Sequence, residues 1–155
     1  MDKRELMSRA IALSEESVRR GGGPFGAVIA RDGEIVAEAS NSVTIEHDPT
    51  AHAEVSAIRM AAHRLGTHDL SGCEIFTSCE PCPMCLGAIY WAHLDKIYYA
   101  NSRTDAARAG FDDDFIYTEM ALPPVGRRKP SEVLMADEAA RAFSLWTAKD
   151  DRIEY

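Results

Sequence analysis

The chain has 155 residues, of which 46% are hydrophobic and 27% charged, and its formal net charge is −8 at pH 7. These values are typical of a globular protein with one domain and a hydrophobic core of its own. The acidic balance disfavours a partner that must be held through many phosphate contacts, and no apolar run approaches the roughly 18 residues that cross a membrane.

The first half of the chain alternates between predicted helices and strands. An amphipathic helix over about 3–20 ends at the Gly21-Gly22-Gly23-Pro24 stretch. Asp32-Gly33 joins two strand-like segments, 24–30 and 34–41, into a hairpin. A helix over about 51–66, closed by Gly66, a strand over 73–79, a helix opened by Pro81 and a short strand over 96–101 follow.

The second half is predicted to be less regular. A short helix over 104–110 stops at Gly110, the 111–117 and 121–130 segments are predicted as loop, and 132–135 is a possible strand before a final helix over about 138–149. Strands that alternate with helices after a hairpin predict an α/β fold. We expect one domain over 1–155, a three-layer α/β/α sandwich whose central mixed sheet has about five strands.

The segment TSCEPCPMCLGAIYWA, residues 77–92, carries three of the four cysteines. The N-terminus lacks the apolar stretch of a signal peptide, so a cytoplasmic, reducing setting is expected, where clustered cysteines are metal ligands or catalytic groups before they are disulfides. Cys82 and Cys85 lie at a predicted helix start and project from nearly one face. His52, at the start of another helix, can supply a third zinc ligand, and Glu54 stands two residues further on.

Three protein ligands and an open fourth position are typical of catalytic zinc, whereas structural zinc is closed by four ligands. A structural site closed by Cys79 is the alternative, and it would suit a non-catalytic zinc-stabilised binding module. The turn between Cys79 and Cys82 is expected to aim these two side chains differently, and a structural site has no use for Glu54. The pattern therefore favours the catalytic interpretation, and Cys73 is expected to be a buried strand residue.

The H-A-E motif at 52–54 and the P-C-P-M-C motif at 81–85 resemble those of the cytidine-deaminase-like superfamily. That resemblance implies one zinc ion per subunit bound by His52, Cys82 and Cys85. It also implies a zinc-bound hydroxide as the nucleophile that displaces ammonia from an amino-bearing ring carbon, with Glu54 as the proton shuttle.

Within this superfamily the sequence most resembles the bacterial guanine deaminases, through 77–92, through TDAARAGFDDDFIY at 104–117 and through the terminal Glu154-Tyr155. The resemblance implies hydrolysis of guanine, a small purine base, to xanthine and ammonia. It also implies a homodimer that exchanges a C-terminal segment, about 136–155, so that the last tyrosine closes the partner's site. Positions that shape the family's base pocket correspond to Phe25, Asn41, Ala53, Trp91, Asp113 and Tyr155.

Several alternatives stay open at this point. Phe25 and Trp91 are equally well explained as core residues, and Asp113 and Glu119 are both candidates to assist the departing ammonia. A tRNA adenosine deaminase shares the same core motifs, but it should be basic near its site. A cytosine or deoxycytidylate deaminase is the third enzyme of this kind. The acidic balance predicts that this protein does not bind nucleic acid, and the lack of a long apolar run predicts no association with a membrane.

Overall fold

The computed structural model describes residues 1–155, which divide into two compact units, Met1–Asp113 and Asp114–Tyr155. The first unit contains α1 (Lys3–Arg19), β1 (Gly26–Arg31), β2 (Glu34–Ser40), a short α2 (Val43–Glu46), α3 (Ala53–Leu65), β3 (Glu74–Cys79), α4 (Pro83–Trp91), β4 (Lys96–Asn101) and α5 (Arg103–Arg108). The second contains α6 (Asp114–Met120), a 3₁₀ turn (Pro124–Gly126) and α7 (Ala136–Ala148). No helix is long and apolar enough to span a bilayer.

The sheet is mixed and has four strands in the order β2-β1-β3-β4. Strand β1 is antiparallel to both β2 and β3, whereas β3 and β4 are parallel. Asp32 and Gly33 both have positive φ, 51° and 79°, as a tight two-residue hairpin turn requires. The mixed sheet was predicted, but the count of about five strands was wrong, because 132–135 forms no strand and its last residue, Met135, has a left-handed backbone conformation.

Helices cover both faces of this sheet, so the predicted three-layer arrangement is confirmed. Side chains of β1 alternate between the faces. Val28 and Ala30 pack with Phe76 against Leu6, Ala10 and Leu13 of α1. On the opposite face Ala27 and Ile29 belong to a cluster with residues of α3 and α4. Cys73 is fully buried in that second cluster, as expected, although it lies one residue before β3 and not within the strand.

The 114–155 unit differs most from the sequence predictions. Residues 114–120 form helix α6, although 111–117 was predicted as loop. The α7 helix was predicted within two residues at its start and one at its end, but every one of its residues is exposed, including Phe143 at 76% and Trp146 at 38%. Within this unit the Arg127 side chain donates to carbonyl oxygens at the end of α6, those of Glu119 and Met120 among them.

Candidate metal centre and active site

Two helix N-termini supply the candidate metal ligands. His52 is the N-cap residue of α3 and Cys82 is the N-cap residue of α4, both with extended backbone dihedrals, and Cys85 lies fully buried in the first turn of α4. Because α4 directly follows β3, Cys82 and Cys85 lie at the carboxyl end of a central strand. Neither His52 nor Cys82 caps its own helix with its side chain, so both side chains are available to a ligand.

The three candidate ligand atoms are spaced as a zinc site requires. His52 Nδ1 lies 3.5 Å from both Cys82 Sγ and Cys85 Sγ. With bonds of about 2.1 Å to nitrogen and about 2.3 Å to sulfur, neighbouring ligands of tetrahedral zinc are about 3.6 Å apart. One imidazole and two thiols at this separation therefore fit a single zinc ion, with a fourth position left for water or substrate.

The electrostatics of the two cysteines favour a thiolate at this position. Hydrogen bonds from the Cys85 thiol and from His52 lower the pKa of Cys82 to about 4. The pKa of Cys85 is raised, since its proton is shared with Cys82 and the sulfur is buried. Zinc binds the deprotonated form of cysteine, so Cys82 is favoured as a thiolate ligand, and Cys85 would lose its proton when a metal binds. The hydrogen bond to Cys82 also raises the pKa of His52.

Glu54 lies in the first turn of α3, two residues after His52, and its side chain is only 6% exposed. Residues two apart within a helix point to opposite sides, but His52 precedes the helix and has an extended backbone, so both side chains reach the same place. Glu54 Oε2 lies 3.4 Å from Cys85 Sγ. Burial raises the pKa of this carboxyl group above its ordinary value.

Cys79 lies outside the group of candidate ligands. Its thiol is 3.7 Å from the carbonyl oxygen of Ser102, to which it donates. Burial and the nearby Glu54 carboxylate raise its pKa to about 11, so Cys79 is a neutral thiol at neutral pH. The arrangement therefore supports three ligands and not the closed four-ligand alternative.

A cavity of about 550 Å³ opens beside the candidate ligands, within the range of small-molecule binding sites. Its wall includes most of the residues that the sequence singled out: Phe25, Asn41, His52, Glu54, Cys82 and Asp113. Burial raises the pKa of Asp113. Ala53 is fully buried and Trp91 is 66% exposed, and neither lines this cavity.

Two predicted residues belong to the 114–155 unit. Tyr155 is 75% exposed. Glu119 lies in α6, where its carboxylate accepts a hydrogen bond from the Arg128 N–H at 2.8 Å. Asp113, the other acidic residue considered for assisting ammonia departure, lines the cavity.

Asn41 is held in one orientation at the wall of the cavity. Its Oδ1 accepts hydrogen bonds from the N–H groups of Gly23 and Val43, at 3.3 and 3.2 Å. If the amide nitrogen were in that position, its N–H groups would face the two backbone N–H groups, so the atom there is Oδ1. The amide nitrogen Nδ2 then remains to donate to a ligand. Asn41 consequently offers hydrogen-bond donors to a ligand.

Sequence reasoning missed three parts of the wall. The glycines of 21–23 were interpreted only as a helix stop, Arg103 forms an ion pair with Glu80 at 3.1 Å, and Phe111 meets Phe25 edge to face with ring centroids 5.0 Å apart. The Gly-rich stretch was a usable signal, since close backbone approach is a common role of glycine. The other two pairings join residues far apart in the chain and leave no local pattern.

Comparison with known proteins agrees with this geometry. Residues 1–101 match the family described as "Cytidine and deoxycytidylate deaminase zinc-binding region". Guanine deaminase of Bacillus subtilis (strain 168) is 50% identical over 156 aligned residues that cover all of both chains. Its crystal structure superimposes with a TM-score of 0.97 over 100% of this chain and 99% of that chain.

More distant relatives include a tRNA-specific adenosine deaminase and a second guanine deaminase. A tRNA-specific adenosine deaminase of Aquifex aeolicus (strain VF5) is 33% identical over 144 residues, 93% of each chain. A solved structure of guanine deaminase from Nitrosomonas europaea is 33% identical, with a TM-score of 0.70 over 72% of this chain and 65% of that chain.

Proposed function

The chain belongs to the zinc-binding family of cytidine and deoxycytidylate deaminases, and on that premise we propose that it hydrolyses guanine to xanthine and ammonia. The proposal rests on one observation: three metal-ligand atoms and the buried Glu54 lie together beside one cavity. The chain that carries them is 50% identical over its full length to a guanine deaminase. In the reaction the bond from C2 of the purine to its amino nitrogen breaks, and a bond from C2 to a water oxygen forms.

The metal site takes one zinc ion, held by His52, Cys82 and Cys85. When bound, zinc lowers the pKa of a coordinated water to about 7, which supplies a nucleophile at neutral pH. The chain's own contribution is to fix the ligands on two rigid helix starts and to keep them beside the substrate cavity. The helix dipole of α4 further favours thiolate at Cys82 and Cys85.

Glu54 moves the protons. Its carboxylate accepts a proton from the attacking water, donates it to a ring nitrogen of the base, and assists protonation of the departing amino group. The raised pKa of the buried carboxyl group suits both halves of this task. Asp113 lines the same cavity, and we propose that it accepts hydrogen bonds from the N–H groups of guanine and assists the departing ammonia.

The remaining pocket residues orient the base. Asn41 Nδ2 donates to an acceptor on the purine, and Phe25 supplies an aromatic face for the flat ring. Ala53 lies between His52 and Glu54 in the chain and is fully buried, and a role for it in shaping the pocket is proposed from the family resemblance. Trp91 is proposed to shape the pocket only on the strength of the family resemblance.

Ammonia release from guanine, adenine, cytosine, guanosine and tRNA tests the substrate assignment. Rapid release from guanine, lost in a Glu54→Gln variant, is expected. Release from tRNA in preference to guanine would overturn the proposal in favour of a tRNA adenosine deaminase, to which the 33% identity with the Aquifex enzyme gives some weight. The net charge of −8 weighs against that alternative, as does the engagement of Arg127 by backbone carbonyls.

We also propose that the protein is a homodimer that exchanges its C-terminal segment, about 136–155. Support comes from α7, whose Phe143, Leu145 and Trp146 are exposed although the helix is amphipathic, and from Val133 and Leu134, which are 82% and 84% exposed. Identical elements can be exchanged between protomers at little energetic cost. Tyr155 of each chain would close the site of the other chain and exclude water.

Deletion of residues 151–155 tests this arrangement. The truncated protein should keep its zinc and its dimer mass but lose most guanine deamination. Full activity in the truncated protein would contradict the closing role of Tyr155. A monomer mass for the intact protein at assay concentration would contradict the exchange.

A further inference from the structure

The hydrogen bonds of Asn41 single this residue out in the wall of the cavity. Its backbone N–H donates to the carbonyl oxygen of Phe25 at 3.0 Å, and its Oδ1 accepts from two backbone N–H groups. Its carbonyl oxygen accepts from the hydroxyl of Ser17 at 2.9 Å. Every polar group of the residue except Nδ2 is thus used to hold it in place, and Asn41 is only 6% exposed.

Ser17 is the unexpected member of this set. It lies in the last turn of α1, is completely buried, and bonds across 24 positions in the sequence to Asn41. Polar side chains are seldom buried fully unless they satisfy a specific partner. Here the partner is the backbone of a residue in the cavity wall, whereas Ser17 itself does not line the cavity.

The hydrogen bond between Ser17 and Asn41 fits only because the neighbouring residue 22 is a glycine. A side chain at Gly22 would collide with the carbonyl oxygen of Asn41 and would come within 2.5 Å of Ser17 Oγ. The Gly22 N–H also donates to the carbonyl oxygen of Ser17 at 2.8 Å. The end of α1, the glycine stretch and Asn41, in the link between β2 and α2, are therefore packed closely around one hydrogen bond.

We propose that Ser17 is a positioning residue for the base: it holds the Asn41 backbone so that Nδ2 meets a hydrogen-bond acceptor of the purine. The inference rests on the proposed function, because it requires that Asn41 contacts guanine. Ser17 acts through Asn41 and touches neither the metal ligands nor Glu54. Its effect falls on base binding, in the ground state and the transition state alike, so KM changes while kcat is largely kept.

Steady-state kinetics on guanine with the full-length, zinc-loaded protein test this inference. Loss of the hydroxyl in Ser17→Ala releases the Asn41 backbone, and weakening the single hydrogen bond from Asn41 Nδ2 to the purine corresponds to about a five- to tenfold rise in KM. We expect kcat to stay within about twofold of the wild type. The matched control is Ser14→Ala in the same helix, where the hydroxyl bonds only the carbonyl oxygen of Ile11, at 2.6 Å, and KM should not change.

An Asn41→Ala background separates positioning from a general loss of stability. There Ser17→Ala should raise KM no further, while thermal denaturation still registers whatever stability the hydroxyl contributes. Additive effects on KM in the double variant would overturn the inference, as would an equal rise of KM in Ser14→Ala. If Ser17→Ala fails to fold, Ser17→Cys keeps the size and a weaker donor, and its KM should lie above that of the wild type; an unchanged value would overturn the inference.

The same kinetic measurements distinguish a failure of the proposed guanine deaminase activity from a failure of the proposed role of Ser17. A wild-type protein without activity on guanine would refute the proposed function itself. Activity on guanine with a normal KM in Asn41→Ala would remove the contact through which Ser17 is inferred to act. A raised KM in Asn41→Ala together with a normal KM in Ser17→Ala would leave the function intact and overturn only the role of Ser17.

Discussion

Replacing Glu54 with glutamine removes the group that moves protons in the proposed mechanism while it keeps the size of the side chain. General acid–base groups contribute about 10²- to 10⁴-fold to enzymatic rates, or about 3–5 kcal/mol of transition-state stabilisation. The Glu54 side chain is only 6% exposed, so bulk water has little access with which to replace it. We therefore expect kcat for guanine to fall at least 10²-fold, and about 10³-fold as a central value.

The structure also says what this variant should preserve. Glu54 is not among the three candidate ligands, so metal analysis should still find one zinc per chain. A neutral amide replaces a carboxyl group whose burial raises its pKa, so the unfolding midpoint should not fall. Glu74→Gln, at the opposite end of β3 where the carboxylate accepts from the Tyr98 hydroxyl, is the matched control and should keep full activity.

Near-normal turnover by Glu54→Gln with zinc bound would refute the reasoning, because another group would then have to carry the protons. Loss of zinc in the variant would be equally damaging. It would mean that Glu54 is a ligand, and that the distance of 3.4 Å from Glu54 Oε2 to Cys85 Sγ belongs to the metal site itself.

Three further predictions concern the metal, the charge and the stability. Cys85→Ala should abolish stoichiometric zinc by metal analysis, whereas Cys79→Ala should keep it, and the reverse pattern would contradict the ligand assignment. A gel shift at physiological salt should detect no tRNA binding, and tight, salt-sensitive binding would contradict this. Arg9, 2.7 Å from Glu38, lowers the pKa of that carboxyl group, so Arg9→Met should cost at most about 1 kcal/mol at neutral pH. The difference in the free energy of unfolding between variant and wild type, measured by chemical denaturation, should disappear as the pH falls from the ordinary glutamate pKa through the lowered one. A difference that persists in acid would mean that Arg9 stabilises the fold by packing.

Local chemistry accounts for the parts of the fold that were predicted. The Asp32-Gly33 pair specified a turn because both residues tolerate positive φ. The spacing of apolar residues predicted the bounds of α1 and α3 to within two residues, since an amphipathic helix has to bury one face. Helix α6 was missed because its sequence, DFIYTEM, opens within an acidic run and lasts only about two turns, too few for a period to be visible.

The sequence by itself determined the chemistry of the site. His52, Glu54, Cys82 and Cys85 are residue types that few functions other than zinc catalysis require together, and their positions at helix starts made convergence possible. Which residues complete the cavity was decided by tertiary structure alone. Phe111 reaches Phe25, and Ser17 reaches Asn41, only after the sheet has brought distant segments together.

The same distinction explains what the sequence could not place. The exposure of Trp91 and Trp146, at 66% and 38%, contradicts the ordinary expectation that large aromatic residues are core, and no local pattern in the sequence indicates it. Hydrogen-bonding capacity, charge and backbone freedom are properties of single residues, so they can be read along the chain. Burial, cavity shape and the orientation of an amide such as that of Asn41 are properties of contacts between segments, and these exist only once the chain has folded.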